Sequence, residues 1–140
     1  MRFNTKDITY YNQPFDHWVL DDFLDVNDAK KLSNQFIDFD NPTEEIIHYK
    51  GWIGEKRTCN RWDRFPPLTY STFSNLLSDK FIDKLSDITG ISPLYPDIGL
   101  HGGGWHMSGK GGSLAMHLDY SIHPKMNLQR KLNLIIYLEE

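Results

Sequence analysis

Cysteine is almost missing from this chain. Cys59 stands alone, so no intrachain disulfide can form and a reducing compartment is the expected setting. A single thiol makes a poor metal site, and a buried, neutral side chain is the better reading of Cys59. Long apolar runs are missing too. The opening "MRFNTKDITYYNQPFDH" has no signal-peptide core, and no stretch approaches a membrane span. A cytoplasmic location is therefore expected, with no membrane partner. Basic stripes are also lacking. The net charge is −4, and the basic cluster from Lys125 to Lys131 is interrupted by Met126, Asn127, Leu128 and Gln129. That balance argues against a nucleic-acid partner. Repeats and low-complexity tracts are not visible.

Aromatic residues, at 14 %, are plentiful among the 140 residues. They suit both a core and a ligand cavity, and the length suits one domain, 1–140. "HWVLDDFL" (His17 to Leu24) reads as a strand. The next segment places Ala29, Leu32 and Phe36 at helical spacing, with Asp25 or Asn27 as N-cap. From Glu44 to Pro67 the pattern is irregular and aromatic, with room for one or two edge strands. Leu77, Phe81, Leu85 and Ile88 form a helical stripe, with Ser71 or Thr72 as cap and Gly90 as stop. Beyond Gly90 the chain reads as strands joined by Gly- and Pro-rich turns, and "LNLIIYL" is the strongest strand signal. Helices first and sheet later predicts an α+β fold with helices packed on the sheet.

"GGSLAMHLDYSIHP" carries the chemistry. On a strand, His117 and Asp119 share a face while Leu118 points away. An imidazole nitrogen and a carboxylate oxygen on one face can grip a divalent metal. They match two corners of the 2-His-1-carboxylate triad of non-haem iron oxygenases. An ordinary hydrogen-bonded His-Asp pair is the competing reading.

The wider context resembles the iron(II)- and 2-oxoglutarate-dependent oxygenases of the prolyl 4-hydroxylase-like group. "GLHGGGWHMSGKGGSLAMHLDYSIHP" followed by "RKLNLIIYL" matches that group's Gly-rich segment, its Leu-x-x-His-x-Asp strand and its Arg-x-Leu-Asn-x-x-x-Tyr-Leu strand. The matching residues are Leu114, His117, Asp119, Arg130, Leu132, Asn133, Tyr137 and Leu138. The likeness is specific from about Asp97 onward. It implies a double-stranded β-helix, or jelly-roll, core. Residues 1–90 would form a helical support region, and 91–140 the start of the jelly roll. It also implies Fe(II) on His117 and Asp119, 2-oxoglutarate on the same metal, and ascorbate as a candidate accessory. The implied reaction converts 2-oxoglutarate and oxygen to succinate and carbon dioxide while a C–H bond is hydroxylated, on a peptidyl proline or a small metabolite.

The group's second histidine and its basic residue for the cosubstrate would lie beyond Glu140. The chain is therefore expected to be an incomplete catalytic domain, poorly active alone. The competing function is a non-catalytic jelly-roll binding module with a structural His-Asp pair.

Other residues carry two readings each. Asn133 and Tyr120 are candidates to contact the cosubstrate, against solvent exposure for Asn133 and packing for Tyr120. Trp105 shields the site or anchors a core. His101, His106 and His123 read as solvent or turn histidines. The Gly102–Gly112 run lacks a Gly-Lys-Ser/Thr ending and reads as a turn or lid. Arg57, Arg61, Trp62 and Arg64 suit an acidic or planar ligand, with surface charges around a buried tryptophan as the plainer reading. Strand 130–138 is apolar on both faces and is expected to pair with a second copy or be covered internally.

Overall fold

A computed structural model describes residues 2–35, 52–53, 56–108 and 111–138. Among these residues the fold is α+β, with three α-helices and small antiparallel sheets. Strands β1 (Ile8–Tyr11) and β2 (His17–Leu20) form a hairpin in which Tyr10 faces Trp18 and Tyr11 faces His17. Both pairs stay in ring contact, with centroids 5.4 and 5.0 Å apart. The strand expected over His17 to Leu24 stops at Leu20, because the chain turns at Asp21 and Asp22, the latter at φ 49°. β1 has no counterpart in the sequence reading.

Helix α1 (Val26–Asn34) begins where Asp25 accepts hydrogen bonds from the Asn27 and Asp28 amides. Such a cap contributes about 1 kcal/mol. Phe36 and residues 44–51 lie outside the described residues. The expected second helix is instead two, α2 (Pro67–Leu76) and α3 (Asp79–Thr89). Pro67 sits in the first turn of α2, where its fixed φ and missing N–H cost nothing. Ser71 and Thr72 are therefore inside a helix rather than at its cap, and both hydroxyls donate to the Leu68 carbonyl. Ser78 takes the N-cap position of α3. Phe81, Leu85 and Ile88 lean inward along α3, while Asp83, Lys84 and Asp87 face water. Gly90 ends α3 at φ 71°, as expected of a glycine stop.

The edge strands expected between Glu44 and Pro67 are β3 (Trp52–Ile53) and β4 (Lys56–Cys59). They run antiparallel to β6 (Ser113–Leu114) and β5 (Trp105–Ser108) respectively. The Gly-rich run thus contains a strand. Gly104 makes that pairing close: at φ 98°, a Cβ there would collide with the Cys59 carbonyl and lie 2.9 Å from the Asn60 Cα. Cys59 pairs with Trp105, and both are buried. Around them sit Leu32 of α1, Phe65 and Leu100, with Trp62, Phe73 and Leu138 packed alongside. Helices α1 and α2 therefore lie against the β4–β5 ladder. Phe65 and Phe73 stack at 4.9 Å, and Phe73 meets the edge of Trp105 at 6.4 Å. Trp105 is a core residue.

Residues 131–138 carry no strand assignment, nor do 115–120. A strand needs a hydrogen-bonding neighbour, and among the described residues none pairs with either segment. Leu132, Ile136 and Leu138 lean inward, whereas Leu134, Ile135 and Tyr137 are exposed. No helix among the described residues is long and apolar enough to cross a membrane.

Candidate functional site

The chain from 115 to 130 folds back through a tight hairpin. Ile122 bridges Gln129, the His123 amide donates to the Leu128 carbonyl, and the Arg130 amide donates to the Ser121 carbonyl. His117 and Asp119 stand on the incoming arm and Arg130 on the outgoing one. Although no strand forms there, the structure brings the pair together: His117 Nε2 lies 3.3 Å from Asp119 Oδ1. Both side chains are about half exposed.

One contact places a proton on His117. His117 Nδ1 lies 2.9 Å from the Ala115 carbonyl oxygen. That oxygen can only accept, so Nδ1 carries the proton. In the neutral ring the Nε2 lone pair then faces a carboxylate oxygen. Two lone pairs at 3.3 Å repel unless a proton or a cation lies between them. Asp119 Oδ2 is held by Arg130 Nη1 at 3.0 Å, which orients the carboxylate and leaves Oδ1 for His117. Two ligand atoms each about 2.1 Å from a divalent ion, at right angles to each other, would be about 3 Å apart. The observed spacing fits two adjacent ligands of one metal. Among the described residues no group of three or more His, Cys, Asp or Glu side chains could hold an ion.

Tyr120 is half-buried and its hydroxyl donates to the His101 carbonyl at 2.9 Å. Its ring carries the Arg130 guanidinium 5.0 Å from the centroid. With its proton spent on His101, Tyr120 offers only acceptor lone pairs to an anion. Asn133 is exposed. His106 is exposed as expected, with Nε2 3.3 Å from the Gly103 carbonyl oxygen.

His123 departs from the expected turn or solvent residue. It occupies a turn, but its side chain is 91 % buried. Its ring packs edge-on against His101 at 5.3 Å and Tyr120 at 5.9 Å. Asp97 Oδ1 lies 3.3 Å from its Nε2. Neither Asp97 nor the burial of His123 was singled out in the sequence. The available signal was faint: Asp97 and His123 each precede a turn that their side chains could cap.

The Arg61–Trp62–Arg64 cluster is largely structural. Arg61 forks onto Asp63 at 3.2 and 2.8 Å, holding that carboxyl below its usual range. Trp62 donates to the Ile98 carbonyl at 2.8 Å and packs among Phe65, Tyr70 and Phe73. The side chain of Arg57 is outside what is described. No family model, curated protein or solved structure matches this chain.

Proposed function

We propose that this chain carries part of the metal centre of an iron(II)- and 2-oxoglutarate-dependent dioxygenase with a jelly-roll core, acting on a C–H bond of a peptidyl proline or a small molecule. One observation carries the reading. Nε2 of His117 and Oδ1 of Asp119 face each other at 3.3 Å, with the far side of each group already held by Ala115 and Arg130. Outer partners of that kind set tautomer and orientation in metal sites. Nitrogen plus hard oxygen suits iron(II).

His117 and Asp119 would hold the metal, and Arg130 would fix the carboxylate and balance its charge. When bound, the metal and cosubstrate supply the oxidising chemistry. Asn133 and Tyr120 remain the candidates for the cosubstrate, and Tyr120 would have to release His101 to donate to it. Two protein ligands bind weakly, so the test is a titration of the 140-residue chain with manganese(II), followed by electron paramagnetic resonance. Weak binding is expected, lost in both His117→Ala and Asp119→Ala. Binding that survives both substitutions refutes the site. A chain that binds no manganese favours the non-catalytic module, with the pair as a structural contact. In any form of the protein that converts 2-oxoglutarate to succinate, Asp119→Ala is expected to abolish turnover.

A further inference from the structure

His123 and Asp97 do the same thing at two places. Each caps its own turn with one atom and turns the other toward its partner. His123 Nδ1 lies 3.2 Å from the Lys125 amide and 2.9 Å from the Met126 amide. Both amides donate, so Nδ1 is the bare nitrogen and Nε2 carries the proton. Asp97 Oδ2 accepts from the His101 amide at 2.6 Å, closing the turn in which the Leu100 amide also donates to the Asp97 carbonyl. The remaining atoms, Nε2–H of His123 and Oδ1 of Asp97, lie 3.3 Å apart. Their alignment falls short of a full hydrogen bond, and Nε2 is sealed from water with no other acceptor among the described residues. A buried N–H in that position is costly unless a carboxylate faces it.

The clip leads directly to the metal pair. The His123 ring abuts Tyr120, Tyr120 carries the Arg130 guanidinium, and Arg130 grips Asp119 Oδ2. Tyr120 is also tied to the clipped turn through its bond to the His101 carbonyl. We propose that His123 and Asp97 are positioning residues: their contact locks the 122–129 hairpin to the 97–101 turn and thereby sets Asp119 against His117. This rests on the reading of His117 and Asp119 as metal ligands, and it adds two residues that do not touch the metal.

Two substitutions cut the clip while keeping the caps. In Asp97→Asn one oxygen can still serve the His101 amide, but an NH₂ group then opposes the Nε2–H. In His123→Asn the amide oxygen can still serve the Lys125 and Met126 amides, but the side chain is too short to reach Asp97. Both variants and the double variant are made in the full 140-residue chain. Helix content by circular dichroism checks folding. Without metal, the ring signals of His117 and the Nε–H signal of Arg130 are followed by NMR. With manganese(II), affinity is measured.

The expected result is a shift of the His117 and Arg130 signals in both single variants, with about ten- to hundredfold weaker manganese binding. The double variant should be no worse than either single one, because the two residues act as one contact. Folded variants with unmoved signals overturn the proposal, as does unchanged manganese affinity alongside moved signals. Additive effects in the double variant also overturn it, since Asp97 and His123 would then act separately. If the signals move but the unsubstituted chain binds no manganese, the clip stands and the metal reading fails.

Discussion

Two regions of this chain solve the problem of apolar surface in opposite ways. In the first, α1, α2 and the β4–β5 ladder bury Leu32, Cys59, Phe65 and Trp105 in one cluster, with Phe73 stacked beside it. In the second, from 113 to 138, Met116 and Leu118 are fully exposed, and Leu134, Ile135 and Tyr137 face water as well. Composition does not explain the contrast, since the second region is the richer in apolar residues; the difference is where the partners are. Helices make their backbone bonds within themselves and need only a face to pack. A strand needs a second segment for its hydrogen bonds. The His117–Asp119 pair stands in the second region, held not by a core but by local polar ties: Ala115 to His117, Arg130 to Asp119, and the Asp97–His123 contact.

The contrast breaks most visibly under truncation to alanine. Trp105→Ala removes a large buried ring from the β4–β5 core and should cost about 3–5 kcal/mol, much of what a small domain has. Met116→Ala, an equally apolar site by sequence, should change stability by no more than about 0.5 kcal/mol. Urea unfolding of the two variants measures both. A Met116→Ala loss near that of Trp105→Ala would mean that the second region is packed after all.

Asp119→Ala probes the same divide from the chemical side. It removes half-exposed contacts to His117 and Arg130. Exposed ion pairs contribute about 0–1 kcal/mol, so the melting temperature should barely move while manganese binding disappears. A large fall in stability would make the pair a structural tie and favour the binding-module reading.

What was legible in the sequence follows the same line. Asp25, one of the two N-cap candidates, and Gly90 as stop are local signals and are where the sequence put them; of the four-residue stripe, Phe81, Leu85 and Ile88 share α3, while Leu77 falls at the end of α2. Ser71 and Thr72 misled because a serine or threonine can back-bond inside a helix as readily as cap one, and Pro67 had already set the start. "LNLIIYL" has strand propensity, but propensity cannot supply a neighbour, and no described segment does so. In the site, His117 and Asp119 do meet, though without the strand from which their common face was read. Arg130 stood out only as a residue of the matching strand pattern, and the fold pairs it with Asp119. Asp97 was not legible, because it meets His123 only through the fold, from the far side of the Gly-rich run.

The exposed residues of 132–138 give a smaller effect. Leu134, Ile135 and Tyr137 are exposed, and uncovered apolar side chains gathered in one segment are a pairing hazard. Light scattering across a dilution series is expected to show a mass that rises with concentration, and Ile135→Lys should return it toward the monomer. A constant monomer mass, with the 132–138 amides protected from exchange, would instead indicate an internal cover.

The smallest expected effect lies where the first hairpin and α3 meet the loose segment. A cleft of about 660 Å³ is lined by Tyr10, Asp16 and Trp18 of the first hairpin, Ile88 of α3, and Lys131 and Leu132 of the loose segment. In it the Tyr10 hydroxyl donates to Asp16 Oδ1 at 2.7 Å. That hydrogen bond, then slight desolvation, then the charge of Asp16, raise the Tyr10 pKa above its usual value of 10.0. A raised pKa means that the folded state holds the proton more tightly. The contribution is therefore fully present below about pH 10, and it is lost as pH rises through the higher folded value. Tyr10 is exposed, so solvent screening keeps the effect small. Asp16→Asn removes the charge and weakens the acceptor, and should bring the Tyr10 midpoint down toward 10.0 in an NMR titration of its ring signals. Equal midpoints in the two proteins would mean that the bond does not hold in solution, and that this side of the cleft is as loosely tied as the segment facing it.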